Sequence, residues 1–226
     1  MKTIGLLGGM SWESSANYYK IINEYARELL GSQNNAKSVM FTVNFEEIEK
    51  LQHANKWDEA TQILTEACKS LEVAGVDFIV ICTNTMHKLL PKIAPHVRIP
   101  FLHIAEATAN EIKKDEVKKV LLLGTKFTMQ EDFYKQKLID NDIEVVIPNT
   151  EDMETIHDVI YNQLCLGIVQ DTSKETFIKI VNKAKGVEGV ILGCTEIGIL
   201  IKQKDFNMKV YDTTIIHAKE SVRMAL

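Results

Sequence analysis

The sequence predicts an α/β protein with two similar halves, each built around a mainly parallel sheet that helices cover on both faces. Short apolar runs typical of buried parallel strands alternate with longer amphipathic segments typical of helices. Residues 117–124 repeat the character of the opening strand, which indicates an internal duplication. Small polar residues follow two of the apolar runs. Because ligands bind outside the carboxyl ends of parallel strands, we expect one cleft lined by loops from both halves.

The first half begins with a strand that ends at the glycine pair Gly8-Gly9. Ser11 is a plausible N-cap for the amphipathic helix that runs to about residue 30. Gly75 ends a second long helix, and a strand then leads into Thr83. Up to residue 114, across the predicted boundary between the halves, the predicted strands are residues 2–7, 38–44, 76–82 and 101–104, and the main predicted helices are 14–30, 57–74, 85–93 and 105–114.

From residue 117 the pattern begins again, with strands at residues 117–124, 143–147, 187–193 and 209–211. The predicted helices in this part of the chain are one that ends at about residue 140, then 151–164, 173–184 and a C-terminal helix from Asp212. Pro91, Pro95 and Pro100 punctuate the link between the halves. We therefore assign 1–98 plus 209–226 to the first half and 99–208 to the second, with the last strand and helix returning to the first.

Composition indicates an ordinary protein without a basic nucleic-acid footprint or a membrane span. The chain has 226 residues, of which 46% are hydrophobic, and its formal net charge is −5. The lysines are scattered, no apolar run reaches the roughly 20 residues that a spanning helix needs, and the N-terminal run is too short for a signal peptide. We expect a cytoplasmic protein with no nucleic-acid or membrane partner.

The four cysteines are not spaced as metal ligands, so free thiols and no metal site are expected. Cys68 lies in a helical pattern and Cys82 lies inside a strand, so both are predicted core residues. Cys165 follows a helix-like stretch and is predicted to be structural as well. Gly5, Gly8 and Gly9 do not make the G-x-G-x-x-G dinucleotide fingerprint, and there is no phosphate-binding P-loop. We therefore expect no bound cofactor.

The candidate site lies at two strand ends that have the same form. Aligning residues 76–82 with 187–193 puts Thr83 on Cys194, Asn84 on Thr195 and Thr85 on Glu196. Backbone N–H groups and hydroxyls at each turn are suited to hold a carboxylate. The alternative is that the Thr83 segment only caps a helix, as such residues often do.

Cys194 is the one cysteine placed where chemistry is expected. A helix N-terminus after it would supply unpaired N–H groups and a positive dipole end. Both favour thiolate, so the sequence predicts a pKa for Cys194 below the ordinary thiol value. Glu196 is expected to orient this thiol or to bind a substrate ammonium group, and the alternative is a solvated helix start. His87 is a weaker candidate for a group that tunes the site, beside the alternative of a structural histidine.

Together these motifs resemble the aspartate/glutamate racemase family, and the resemblance covers essentially the whole chain. The segments that carry it are 6–11, 82–87, 100–105, 192–197 and 212–214. It implies two Rossmann-like halves with pseudo-twofold symmetry, no cofactor, a homodimer and an amino-acid substrate. In the family's usual mechanism, two thiols act on opposite faces of the substrate Cα, one removing the proton and the other returning one.

This chain departs from that pattern because Thr83 replaces the first cysteine, as in a subgroup of L-aspartate/glutamate-specific racemases. Alternation along the strand points Cys82 away from the face that Thr83 uses. The resemblance therefore implies that Cys194 and Thr83 are the catalytic pair and that the L enantiomer is the effective substrate. It assigns substrate contacts to a set of residues shared by both halves: Met10, Gln52, Thr83, Asn84, Thr85, Thr195 and Glu196.

Gln52 stands where two-cysteine members tend to have arginine, and a basic residue near Cys165 is also absent. Both changes leave room for broader or weaker amino-acid specificity. Two further alternatives remain. A single thiol suffices for an arylmalonate-type decarboxylase or a maleate-type isomerase, and an amino-acid-binding protein with little activity would keep the same fold. Loss of activity on Cys194→Ala distinguishes an enzyme from a binding protein.

Overall fold

The structure is a computed structural model that describes residues 1–226. It contains two four-stranded parallel sheets with helices around them, so the predicted α/β class and two-domain fold are confirmed. The first sheet has β1 (Ile4–Gly8), β2 (Ser38–Thr42), β3 (Phe78–Ile81) and β4 (Phe101–Leu102). The second has β5 (Lys119–Gly124), β6 (Glu144–Val146), β7 (Gly189–Gly193) and β8 (Lys209–Asp212).

The strand orders are β2-β1-β3-β4 and β6-β5-β7-β8, so the two sheets share one topology. The helices are α1 (Trp12–Leu30), α2 (Phe45–His53), α3 (Trp57–Val73), α4 (Leu90–Ile93), α5 (Ile104–Lys114), α6 (Lys126–Gln130), α7 (Asp132–Ile139), α8 (Thr150–Asn162), α9 (Asp171–Lys183), α10 (Ile197–Leu200) and α11 (Thr213–Ala225). None of them is both long enough and apolar enough to cross a membrane.

The first sheet is buried on both faces because alternate residues of its strands enter different cores. Ile79 and Ile81 of β3 pack in a cluster with α3, whereas Phe78 and Val80 pack with α1 and the end of α11. This is why β3 is apolar throughout rather than alternating. The Cys82 side chain packs on the α1 side of the sheet, as predicted. Alternation along the strand gives the next residue, Thr83, the opposite face.

Ser11 is the N-cap of helix α1, as the sequence predicts, although the helix begins at Trp12, before the predicted start at Ser14. The Ser11 side chain accepts a hydrogen bond from the backbone N–H of Ser14 at 3.2 Å, the usual N-cap geometry. At the other end, the N–H of Gly31 donates to the carbonyl of Arg27, and Gly31 has a φ of 72°. The first long helix is therefore specified at both ends by local residues.

The domain boundaries predicted from the sequence were wrong in one respect. Contacts divide the chain into one unit of Met1–Ile104 with His217–Leu226, and a second of Ala105–Ile216. Strand β4 pairs with β3, and β8 pairs with β7, so each belongs to the half opposite to the one predicted. Only the end of α11 returns to the first unit.

The physical reason is that the prolines between β3 and β4 do not mark a linker. Pro91 and Pro95 lie in the first turns of short helices, where the missing N–H costs nothing. The carbonyl of Pro100 accepts a ladder hydrogen bond from Ile79 at 2.9 Å. The chain is therefore ordered through this segment and enters β4 as part of the first sheet.

Candidate active site

The Thr83 turn, residues 83–85, directly follows β3 at the carboxyl edge of the first sheet. The N–H of Cys82 donates to the carbonyl of Leu7 at 2.9 Å, so pairing with β1 continues to the last residue before the turn. Asn84 and Thr85 are buried, and Thr83 is half-buried. A 3-10 helix starts at Thr85, but the Asn84 side chain makes no capping hydrogen bond to it. The capping interpretation therefore does not account for Asn84.

The turn between β1 and α1 lies beside the Thr83 turn because β1 and β3 are neighbours. Gly9 has a φ of 91°, and a Cβ there would fall 2.1 Å from the carbonyl oxygen of Val43. Its N–H donates to the hydroxyl of Ser15 at 2.8 Å, and that hydroxyl donates to the carbonyl of Ser11. Met10, a predicted substrate contact, is buried within this turn. Only glycine fits at position 9.

Gln52, the other predicted contact in the first unit, lies in the last turn of α2 and is buried. Its amide is neutral, so this position supplies hydrogen bonds but no charge for a substrate carboxylate. The role of Gln52 in substrate binding stays a prediction.

The Cys194 turn, residues 194–196, follows β7 in the second unit. The Cys194 thiol donates to a carboxylate oxygen of Glu196 at 3.0 Å, and the Thr195 hydroxyl donates to the same oxygen at 2.7 Å. Thr195 and Glu196 are buried, and Cys194 is partly exposed. The structure thus brings the three residues predicted from this motif into one hydrogen-bonded group, and Glu196 orients the thiol.

The expected low pKa of Cys194 was wrong in direction. Burial of the thiol, then the negative Glu196 carboxylate beside it and the neighbouring Cys165, raise the pKa of Cys194 well above its ordinary value. Helix α10 has only four residues, and its first turn is preceded by an acidic side chain, so little positive dipole reaches the sulfur. Cys194 is therefore a protonated thiol near neutral pH in the free protein.

Residues 212–214, to which the sequence motifs gave no role at the site, hold the Cys194 turn in place. The Thr213 hydroxyl donates to the carbonyl of Leu192 at 2.8 Å, which fixes β7 just before its end. The Asp212 carboxylate accepts from the N–H of Thr214 and lies so close to Gly198 that a Cβ there would meet it at 2.2 Å. The Asp-Thr-Thr motif was singled out from the sequence only as part of the family resemblance.

Strand register places Thr83 and Cys194 at equivalent positions of their own sheets. In the first unit Leu7 pairs with Ile81, and Thr83 lies two residues beyond that pair. In the second, the equivalent pair is Leu123 with Leu192, and Cys194 lies two residues beyond it. The alignment of the two motifs made from the sequence is therefore matched by the register. No group of three or more His, Cys, Asp or Glu side chains is arranged to hold a metal ion.

Comparisons with known proteins agree on one family. The protein-family model described as Asp/Glu/Hydantoin racemase matches residues 7–221. The crystal structure of a putative Asp/Glu racemase from Yersinia pestis is 44% identical, covers 100% of this chain and 99% of its own, and has a TM-score of 0.92. An aspartate racemase homologue from Pyrococcus horikoshii OT3 is 38% identical over 100% of this chain and 99% of its own, with a TM-score of 0.87. A broad specificity amino-acid racemase of Bacillus subtilis, RacX, is 25% identical over 97% of this chain and 96% of its own.

Proposed function

Because the chain belongs to the Asp/Glu/Hydantoin racemase family, we propose that it racemises an acidic amino acid, aspartate or glutamate, without a cofactor. The chain is a racemase, an isomerase of amino acids. The proposal adds that Cys194 and Thr83 exchange the α-proton from opposite faces of one substrate Cα. It also adds that the L enantiomer is the better substrate.

The observation that carries the proposal is the equivalent placement of Thr83 and Cys194, each two residues beyond a matching strand pair. Racemisation needs a proton carrier on each face of a planar carbanion, and a duplicated frame supplies two positions of the same kind. Each position is followed by two buried polar residues. Asn84 and Thr85 suit a substrate carboxylate, whereas Glu196, beside Thr195, suits the substrate ammonium group.

The chemistry at Cys194 starts from a thiol rather than a thiolate. Burial, and after it the Glu196 carboxylate, hold the pKa of Cys194 high in the free protein, and a substrate ammonium group near Glu196 compensates that negative charge. When substrate is bound, the Cys194 proton leaves to solvent, and the thiolate takes the α-proton of the L enantiomer and becomes a thiol again. Thr83 donates its hydroxyl proton to the other face of the carbanion, which gives the D enantiomer, and the Thr83 alkoxide then recovers a proton from water.

The reverse direction is harder because it starts at Thr83. An aliphatic hydroxyl is a far weaker acid than a thiol, so its alkoxide forms with difficulty and deprotonation of the D enantiomer is slow. The proposed enzyme therefore accepts L substrates much more readily than D substrates.

A second candidate function is the racemisation of a wider range of amino acids. Gln52 is neutral where a basic residue would pair with a side-chain carboxylate. The relative RacX is named for broad specificity. This candidate keeps the roles of Cys194 and Thr83 and changes only the side chains that are accepted.

Proton NMR in D2O tests both candidates. We expect the α-proton signal to be lost from L-aspartate or L-glutamate and to persist for the D forms, with Cys194→Ala abolishing the exchange. A panel of neutral L-amino acids distinguishes broad from acidic specificity. Equal exchange in Cys194→Ala and wild type would contradict the role of Cys194. No exchange in the wild type would favour a binding protein, and release of carbon dioxide from a malonate substrate would favour a single-thiol enzyme.

We also propose, from the family resemblance, that the enzyme is a homodimer, and from its composition that it works in the cytoplasm. Sedimentation equilibrium tests the first part: the mass of one chain is 25.6 kDa, and a single species of that mass at all concentrations would contradict the dimer.

A further inference from the structure

His87 is buried one turn beyond Thr83 and is hydrogen-bonded through both ring nitrogens. Nδ1 lies 2.9 Å from the carbonyl oxygen of Thr83, and Nε2 lies 3.2 Å from the backbone nitrogen of Ile104. A carbonyl oxygen only accepts, so Nδ1 carries a proton. A backbone N–H only donates, so Nε2 carries a lone pair. The two bonds together are compatible with a single form of the ring, the neutral Nδ1–H tautomer.

The surroundings of His87 are equally ordered. His217 lies with its ring centroid 5.7 Å from that of His87, accepts at Nδ1 from the Tyr18 hydroxyl at 2.9 Å and donates at Nε2 to the carbonyl of Leu102. The His103 ring packs against His87 at 4.7 Å between centroids. This buried cluster holds the His87 ring, so the ring cannot turn to exchange its two partners without breaking contacts on several elements.

We propose that His87 is the positioning residue for Thr83. Its neutral Nδ1–H tautomer holds the Thr83 carbonyl and thereby fixes the orientation of Thr83 in the reaction. The inference rests on the proposed function for what Thr83 does. It differs from an acid–base role, because both nitrogens of His87 are already committed to backbone groups.

The bond acts on more than one atom of the site. The Thr83 carbonyl and the N–H of Asn84 belong to the same planar peptide group, so fixing the carbonyl also fixes the direction of that N–H. Donation to the carbonyl polarises the peptide and strengthens its N–H as a donor. Thr83 itself is only half-buried, so packing constrains it less than its neighbours. His87 supplies the missing constraint from the side of the backbone.

The tautomer is measured directly in the wild-type protein, independently of any activity. Nitrogen-15 NMR of histidine-labelled protein distinguishes Nδ1–H, Nε2–H and doubly protonated rings, and His87→Gln assigns the resonance by its disappearance. We expect the neutral Nδ1–H ring at neutral pH, as its two hydrogen bonds require. An Nε2–H or doubly protonated ring at neutral pH would overturn the inference whatever the enzyme does.

Two amide substitutions separate the two bonds of His87. Asn at this position reaches the Thr83 carbonyl with its amide N–H, whereas Gln reaches the Ile104 N–H with its amide oxygen. Tyr18→Phe is the matched control, because it removes a hydrogen bond from the same buried cluster without touching Thr83. The readout is the amount of D product formed per deuterium incorporated into L substrate, since incorporation needs only Cys194 whereas racemisation also needs Thr83.

We expect His87→Gln to lower this ratio by about 10²-fold, the usual loss for a catalytic group displaced by about 1 Å. His87→Asn and Tyr18→Phe should stay within a few-fold of wild type. Equal losses of exchange and racemisation in His87→Gln, with an unchanged ratio, would assign His87 a purely structural role and overturn the inference. Wild-type protein without exchange on any amino acid would instead overturn the proposed function, and with it the Thr83 role, while the NMR result would still decide the tautomer.

Discussion

One carboxylate oxygen of Glu196 accepts hydrogen bonds from both the Cys194 thiol and the Thr195 hydroxyl, so Glu196 places negative charge at the second strand end. After burial, which has the larger effect, this charge raises the pKa of the thiol and keeps it protonated. A site that stays protonated when empty also protects its sulfur, because the thiolate is the form that oxidants and electrophiles attack.

The first prediction at this scale concerns the charge of residue 196. We expect Glu196→Gln to lower the pKa of Cys194, because the substitution removes the negative charge that disfavours the thiolate. Thiolate absorbance followed against pH should therefore rise at lower pH in the variant than in wild type. Subtracting the titration of Cys194→Ser isolates this thiol from the other three cysteines.

Glu175→Gln is the matched control for this titration, since Glu175 is an exposed acidic residue on α9 of the same unit. It should leave the Cys194 titration where it is. A Glu196→Gln variant whose thiol titrates at the same pH as wild type, or at higher pH, would show that burial alone keeps the proton on Cys194.

The position of Cys194 was predictable from the sequence, but the direction of its pKa shift was not. An apolar run followed by Gly-Cys-Thr-Glu is enough to place the thiol at a strand end. Whether the next residues form a long helix, and where the Glu196 side chain turns, depends on packing that a local pattern does not report. The prediction of a lowered pKa therefore failed, because it relied on a helix dipole that four residues barely supply.

At the level of elements, the turn between β1 and α1 shows how tightly the backbone around the site is packed. Gly9 combines a positive φ with a Val43 carbonyl inside the space of a Cβ, and its N–H is bound by Ser15. Gly75, just after α3, also has a positive φ, of 80°, but nothing lies near its missing Cβ. Comparing the two glycines therefore separates the effect of backbone strain from the effect of a close contact.

This contrast gives a prediction about alanine at each position. Gly75→Ala should lower the free energy of unfolding by about 1 kcal/mol, the cost of a left-handed alanine. Gly9→Ala should cost about 3 kcal/mol or more, because a backbone carbonyl must also move. Urea denaturation measures both. Equal losses at the two positions would mean that Val43 yields easily and that the turn is softer than its contacts indicate.

Most elements followed from local patterns, whereas strand partners did not. The N-cap Ser11 and the apolar run of β3 are visible in the sequence, so α1 and β3 were predicted close to their observed bounds. Assigning β4 and β8 to the wrong halves was an error about long-range pairing. Pro91 and Pro95 indicated a boundary, although both sit at helix starts that tolerate proline.

At the level of the whole molecule, the chain changes unit inside helices: the boundaries fall at Ile104/Ala105 in α5 and at Ile216/His217 in α11. His217, the first residue after the second boundary, is fully buried among Tyr18 and His87. Burial, followed by the neighbouring His87, lowers the pKa of His217 from 6.5 to about 3. Stability of the fold is thereby linked to pH at this residue.

We expect the free energy of unfolding to fall as the solution is acidified. His217 is neutral in the folded protein and takes up a proton when unfolded, so its contribution is complete above pH 6.5 and is lost between pH 6.5 and about 3. The slope is about 1.4 kcal/mol per pH unit for one such group. Urea denaturation at a series of pH values measures it.

His217→Gln should flatten this slope, whereas His96→Gln, which changes an exposed histidine, should leave it unchanged. If the wild-type protein is equally stable at pH 4 and above 6.5, the pKa values that His217 has when folded and unfolded must be similar. The hydrogen bond from Tyr18 would then have to accommodate a protonated ring.

Under the proposed mechanism, the matching register of Thr83 and Cys194 means that the preferred enantiomer depends on which of the two equivalent positions carries sulfur. Exchanging the two side chains, Thr83→Cys with Cys194→Thr, should therefore yield a mirror-image preference, with deuterium entering D substrates faster than L. Thr83→Cys alone should let the enzyme exchange the α-protons of both enantiomers, and Cys194→Thr alone should abolish the exchange. An exchanged enzyme that still prefers L substrates would mean that handedness resides in the surrounding pocket instead.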